Sequence, residues 1–134
     1  MKAVFADTGY RTALLNPKDQ LHDKAVQVSQ TLGQRRIVTS EMVLDELLAA
    51  LSMVPQRPLA VRCVEAIRAD PNVEIVPQTS LQFEAAFAEN RSRRDKEWSL
   101  TDCASFVLMR TRGLSEALAH DHHFVQAGFV ALLR

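Results

Sequence analysis

The chain has 134 residues, 47% of them hydrophobic and 24% charged, and its sixteen basic and sixteen acidic side chains cancel. That mix belongs to a folded globular domain and excludes a disordered tail, a collagen-like fibre and a coiled coil. The cancelled charge removes any global pull toward nucleic acid or membrane, so polyanion binding has to come from local clusters.

A chain of this length buries roughly two thirds of the surface its unfolded form exposes. Residues 1–134 are therefore expected to form one domain that needs neither metal nor disulfide to hold its fold. No apolar run approaches the ~18–20 residues needed to span a bilayer. The segment Met1–Asp7 loses its apolar character too soon for a signal peptide. Cys63 and Cys103 lie in apolar, helix-like stretches and read as reduced core thiols. The expected setting is the cytoplasm, with no membrane association.

Lys2–Ala6 is short, apolar and β-favouring, as a buried strand is. Thr8–Leu15 suits a helix stopped by Asn16-Pro17. Leu21, Ala25, Val28 and Leu32 predict a helix from about Asp19 to Leu32, with Gly33 at its C-terminal end. Arg36–Thr39 is the next strand, and Ser40 is placed to cap a helix from Glu41 to about Ser52. After the break at Met53–Pro58 a further helix runs to about Ala69, with Leu59, Cys63, Ala66 and Ile67 facing inward. Val73–Val76 reads as a third strand. Thr79 and Gln82 have the spacing of a capping box for a helix from Ser80 to about Asn90. A charged loop, Arg91–Glu97, precedes Ser99, which can cap a helix over Leu100–Arg112 that ends at Gly113. Leu118–His120 and Ala131–Leu133 are short strand candidates. Strand and helix alternate throughout, which predicts an α/β fold: a central, mainly parallel sheet flanked by helices.

Sheets of that kind place ligands at the carboxyl ends of their strands, beside the point where strand order reverses. Asp7 follows the first strand and Asp121 the fourth; if those strands are neighbours, the two carboxylates meet at the mouth of the sheet. Asp102 lies in the first turn of the helix capped by Ser99, and Glu46 sits mid-helix in an otherwise apolar run. Singly, each has a bland explanation: a helix cap, a complement to the helix dipole, a turn former, a solvated helix edge. Together they would repel, since like charges ~4 Å apart cost about 4 kcal/mol at an effective dielectric of 20. Protons or a cation must then neutralise the group. Oxygen-only donors select hard cations such as Mg²⁺ or Mn²⁺, which promote phosphodiester hydrolysis.

Four segments, in order, resemble the successive motifs of PIN-domain nucleases, in particular the toxin half of bacterial toxin–antitoxin pairs (VapC type). They are Val4-Phe5-Ala6-Asp7-Thr8, Thr39–Leu47, Asp95–Cys103 and Ala119–Phe129. The Trp98-Ser99-Leu100-Thr101-Asp102-Cys103 stretch and the Asp121-x-His123-Phe124-x-x-Ala127-Gly128-Phe129 stretch carry most of the likeness, which spans essentially the whole chain. The resemblance implies a Mg²⁺- or Mn²⁺-dependent endoribonuclease whose acidic set is Asp7, Glu46, Asp102 and Asp121. Asp7, Asp102 and Asp121 would hold the ion, with Glu46 as a further ligand or as a general base acting through water. Thr8 and Thr101 would orient carboxylates or water behind them. It also implies an RNA substrate, a small antitoxin partner and a homodimer.

The cations Arg91, Arg93, Arg94 and Lys96 would hold RNA phosphates without reading sequence. Asp95 among them reads either as an aid in positioning the loop or the pocket or as a local counter-charge, and stands outside the main acidic set. Asp7-Thr8-Gly9 copies the tripeptide of aspartic proteases, but those are all-β. A phosphorylated receiver domain would want paired acids after its first strand and a lysine after its last. His120, Asp121, His122 and His123 invite a zinc site, yet four adjacent residues do not easily wrap one ion; turn packing or an RNA contact is the expectation there. Phe83, Phe87, Phe106, Phe124 and Phe129 read as core. The competing class for the whole chain is a non-catalytic RNA-binding or complex-forming module of the same fold.

Overall fold

In the computed structural model, which describes residues 2–134, strands and helices alternate along the chain. The order is β1 (Val4–Ala6), α1 (Thr8–Leu15), α2 (His22–Thr31), β2 (Ile37–Ser40), α3 (Glu41–Ala50) and α4 (Arg57–Ala69). It continues with β3 (Val73–Val76), α5 (Ser80–Ser92), α6 (Leu100–Arg112), β4 (Glu116–Leu118), α7 (His122–Gln126) and β5 (Val130–Ala131). All strand pairs are parallel, in the spatial order β3-β2-β1-β4-β5. The fold class read from the sequence holds.

The strands are short and apolar because both faces are covered. Val4 and Ala6 point into one cluster with Tyr10, Ala13, Ala25, Ile37 and Leu118, formed with α1 and α2. Phe5 points the other way, into a cluster with Val38, Trp98, Phe106, Met109 and Phe124. Within that second cluster Phe106 stands edge-on to both Trp98 and Phe124, with ring centroids 4.9 and 5.0 Å apart. This edge-to-face packing fixes α6 and α7 against the sheet. Cys63 and Cys103 are buried and free, as expected.

Helix ends follow their local chemistry. The Ser40 hydroxyl accepts the Val43 amide, and capping boxes start α5 at Thr79 and Gln82 and α6 at Ser99 and Asp102. Gly113 closes α6 with φ of 67°, a left-handed conformation that a residue with a Cβ adopts at a cost.

Three sequence expectations need correction. The fourth strand lies at Glu116–Leu118 rather than Leu118–His120, because β1 runs out at Ala6, the partner of Leu118, and leaves Ala119 and His120 without a neighbour in the β1 ladder. The short helix α7 was not foreseen; Asp121 caps it by accepting the His123 amide. Phe83 and Phe87 are not core but stack on one another, partly exposed, along α5, and the Arg91 guanidinium lies over Phe87.

Candidate active site

The strand order reverses between β1 and β4: the chain winds outward from β1 through β2 to β3, then returns to the other side of β1. Parallel sheets bind ligands in the crevice outside the carboxyl ends of the two strands at such a point. Asp7 stands at that edge as the N-cap of α1, and its amide donates to the Leu118 carbonyl at 3.2 Å. Asp121 lies three residues beyond the end of β4, after Ala119 and His120. Ala119 stays buried and its carbonyl accepts the Leu133 amide, so the segment is held in place past the ladder.

Asp7 carries the clearest electrostatic signature. Its Oδ1 is buried and has no hydrogen-bond partner in the protein. Burial raises its pKa to about 7; the Thr8 backbone amide works against that rise, and the charges of Asp102, Glu46 and Asp121 add to it. The three acids named with Asp7 from the sequence are thus the three whose fields reach it. An acceptor oxygen sealed from water within the field of three other carboxylates is a costly arrangement unless a proton or a cation neutralises it.

The neighbouring side chains hold these acids in fixed positions. Thr8 Oγ1 donates to Glu46 Oε1 at 2.6 Å, which ties the first residue of α1 to the middle of α3. Asp45, its neighbour, faces solvent, as the helix pattern requires. Asp102 is almost fully buried; its Oδ2 accepts the Ser99 amide at 3.1 Å while the Asp102 amide donates to Ser99 Oγ at 3.0 Å. The capping box that starts α6 therefore also aims the carboxylate. Of the two threonines named from the sequence, Thr8 contacts an acid, whereas the hydroxyl of Thr101 makes no hydrogen bond to any of the four among the described residues.

His123, read from the sequence as turn packing or an RNA contact, bridges two of the acids instead. Its Nδ1 lies 3.0 Å from Asp102 Oδ2 and 3.3 Å from Asp121 Oδ1, bridging the acid of α6 to the acid that caps α7. Its signal was its place two residues after Asp121, where the first turn of a helix folds back over its own cap. His120, by contrast, turns away, with Nδ1 3.0 Å from the Leu133 carbonyl.

The basic cluster is partly self-satisfied. Arg93 makes a two-pronged contact with Asp95 at 3.1 and 3.2 Å, lies over the Trp98 ring, and shares Asp95 with Lys96. These contacts hold the Asp95 carboxyl at a pKa of about 2, so its counter-charge is permanent at neutral pH. Arg94 is exposed and makes no ion pair among the described residues. The loop leads through buried Trp98, whose indole N–H donates to Gln126 of α7, directly into the Ser99 cap of α6.

A five-stranded parallel sheet with Asp7 and Asp121 following the two strands at its switch point has the architecture of the PIN-type nucleases. No family model matches the chain. It is, however, 32% identical over 127 residues to the 23S rRNA-specific endonuclease VapC20 of Mycobacterium tuberculosis, covering 95% of both chains. The crystal structure of that protein, described as a sarcin–ricin loop cleaving toxin, superposes with a TM-score of 0.86 at 30% identity, covering 96% of this chain and 97% of the other. FitAcB from Neisseria gonorrhoeae shares the fold alone, with a TM-score of 0.65 at 17% identity over 98% of this chain and 95% of the other. The chain belongs to the VapC-type family of PIN-domain toxin nucleases.

Proposed function

We propose that this protein is a Mg²⁺- or Mn²⁺-dependent endoribonuclease, the toxin of a toxin–antitoxin pair, with Asp7, Glu46, Asp102 and Asp121 as its catalytic set. The observation that carries the reading is Asp7 Oδ1, buried and unpartnered within reach of three other carboxylates. An all-oxygen donor set of high negative charge fits a hard divalent cation. Asp7, Asp102 and Asp121 would hold it, with Glu46 alongside. Such an ion, when bound, supplies a Lewis acid for the scissile phosphate and lowers the pKa of water.

The protein's own contribution is positioning. Thr8 fixes Glu46 at the edge of the cleft, where its carboxylate can take a proton from an attacking water. Ser99 and His123 pin Asp102. No side-chain nucleophile is required. Arg94, and Arg91, Arg93 and Lys96 to the extent that they release their present contacts, supply phosphate contacts that place the strand without reading its bases.

Similarity to VapC20 supports ribosomal RNA of the large subunit as the substrate, and a substrate of that kind is in keeping with action in the cytoplasm. No helix among the described residues is long and apolar enough to cross a membrane. A chain that cleaves such a substrate needs a neutralising partner, a small antitoxin, and self-association into a homodimer completes the proposal. The test is incubation of purified protein with ribosomes and with 23S rRNA, with and without EDTA. Metal-dependent scission at a discrete position, absent in Asp7→Asn, is the expected result. RNA binding without scission would establish the non-catalytic module instead.

A further inference from the structure

We propose that Asp121, His122 and His123 form a second metal site, selective for zinc-like ions, whose occupation shuts the nuclease off by withdrawing Asp121 from the catalytic set. The proposal rests on the reading of Asp121 as a catalytic carboxylate.

Three consecutive residues rarely supply three donors to one ion, and here the geometry of α7 explains how they can. Asp121 is the N-cap, and its Oδ1 accepts the His123 amide at 2.9 Å, which folds the carboxylate back over the first turn. Both imidazoles converge on that same oxygen: His122 Nδ1 lies 3.4 Å from Asp121 Oδ1 and His123 Nδ1 lies 3.3 Å from it. One ligand atom from each residue falls within 4.8 Å of the others. A tetrahedral zinc ion with Zn–N and Zn–O distances of about 2.0–2.1 Å has ligand–ligand edges of about 3.3–3.4 Å. Two edges of such a tetrahedron are therefore already present.

The donor types decide the ion. Two imidazole nitrogens and one carboxylate oxygen suit zinc and its neighbours, whereas Mg²⁺ takes oxygen and water. Access decides that the site can fill: Asp121 and His122 are exposed and open it to solvent, while His123, its side chain 16% exposed, forms the inner wall. Asp102 Oδ2, 3.0 Å from His123 Nδ1, lies on the inner side, so the site abuts the catalytic acids. An ion bound through His123 Nδ1 takes that nitrogen from Asp102 Oδ2, its present partner, and engages Asp121 Oδ1 beside it. His122 belongs to this site alone; it touches none of Asp7, Glu46 or Asp102.

His122→Ala separates the two sites. Calorimetric titration of metal-stripped protein with Zn²⁺ should give a high-affinity event in wild type that weakens at least about tenfold in His122→Ala. In cleavage assays at saturating Mg²⁺, the variant should match wild type without zinc and need at least tenfold more Zn²⁺ for half-inhibition. Equal zinc affinity, or equal inhibition, in the two proteins would overturn the proposal, since zinc would then act at the acidic set alone. Zinc bound through His122 with no loss of cleavage would overturn it as well. Failure of the underlying reading looks different: Asp121→Asn would cleave RNA normally in Mg²⁺, while wild type still bound zinc in a His122-dependent way by calorimetry.

Discussion

Neutralising Asp7 is expected to stabilise the metal-free protein, with a pH dependence set by its environment. In the folded state its pKa is raised from 3.8 to about 7, first by burial and then by Asp102, Glu46 and Asp121. A carboxyl whose folded pKa lies above its unfolded value favours the fold while protonated. That stability is complete below the unfolded value of 3.8 and is lost as pH rises through 7. A difference of about three pH units corresponds to roughly 4 kcal/mol at 1.36 kcal/mol per unit. Sharing of protons among the four acids reduces the figure, so about 2–4 kcal/mol is the working range. Asp7→Asn keeps the side-chain volume and removes the titration. Urea denaturation in EDTA at pH 4.5, 6 and 8 should therefore show wild type and variant converging at the acid end, with the variant more stable by that amount at pH 8. Mg²⁺ should then stabilise wild type and leave Asp7→Asn nearly unmoved, because a ligand that binds only the folded state stabilises it. Parallel stability–pH curves for the two proteins would refute the burial and clustering assigned to Asp7.

Thr8→Val should lower Mg²⁺ affinity or the cleavage rate about 10–100-fold while the fold stays intact, since it deletes the 2.6 Å bond to Glu46; cleavage titrated against Mg²⁺, with circular dichroism on the same preparation, checks this. Ser99→Ala removes the hydroxyl of the capping box that starts α6 and should cost about 0.5–2 kcal/mol in denaturant unfolding. Arg94→Ala should reduce the slope of log affinity against log salt for single-stranded RNA by somewhat under one unit. Arg93→Ala should reduce it less, because Arg93 already has Asp95 as a partner, and fluorescence anisotropy across a salt series compares the two.

The sequence was most informative where a local rule set the geometry. Ser99 and Gly113 bound α6 as their capping chemistry dictates, and the alternation of strand and helix was enough for a parallel sheet. The approach of Asp7 and Asp121 depends on β1 and β4 being neighbours, a long-range pairing that no local pattern encodes; the ladder from Phe5 and Ala6 to Ala117 and Leu118 makes them so. The end of β4 was misplaced because Ala119 is as apolar and buried as a strand residue while lying beyond the ladder. The contact of His123 with Asp102 is not legible for a related reason. A helix of five residues has too little periodicity to be seen, and without α7 the histidine reads as part of a turn. Phe83 and Phe87 were assigned to the core on residue type alone, although α5 shows them on a partly exposed face.

The central claim is that four carboxylates at the end of β1 and β4 hold a hard divalent ion. Anomalous diffraction from crystals soaked in Mn²⁺ tests it most directly, because the signal reports position without assuming activity. The account predicts an anomalous peak within coordination distance of Asp7 Oδ1, bordered by Asp102, Asp121 and Glu46. Full Mn²⁺ occupancy elsewhere, with Asp7 left without an ion, would contradict it.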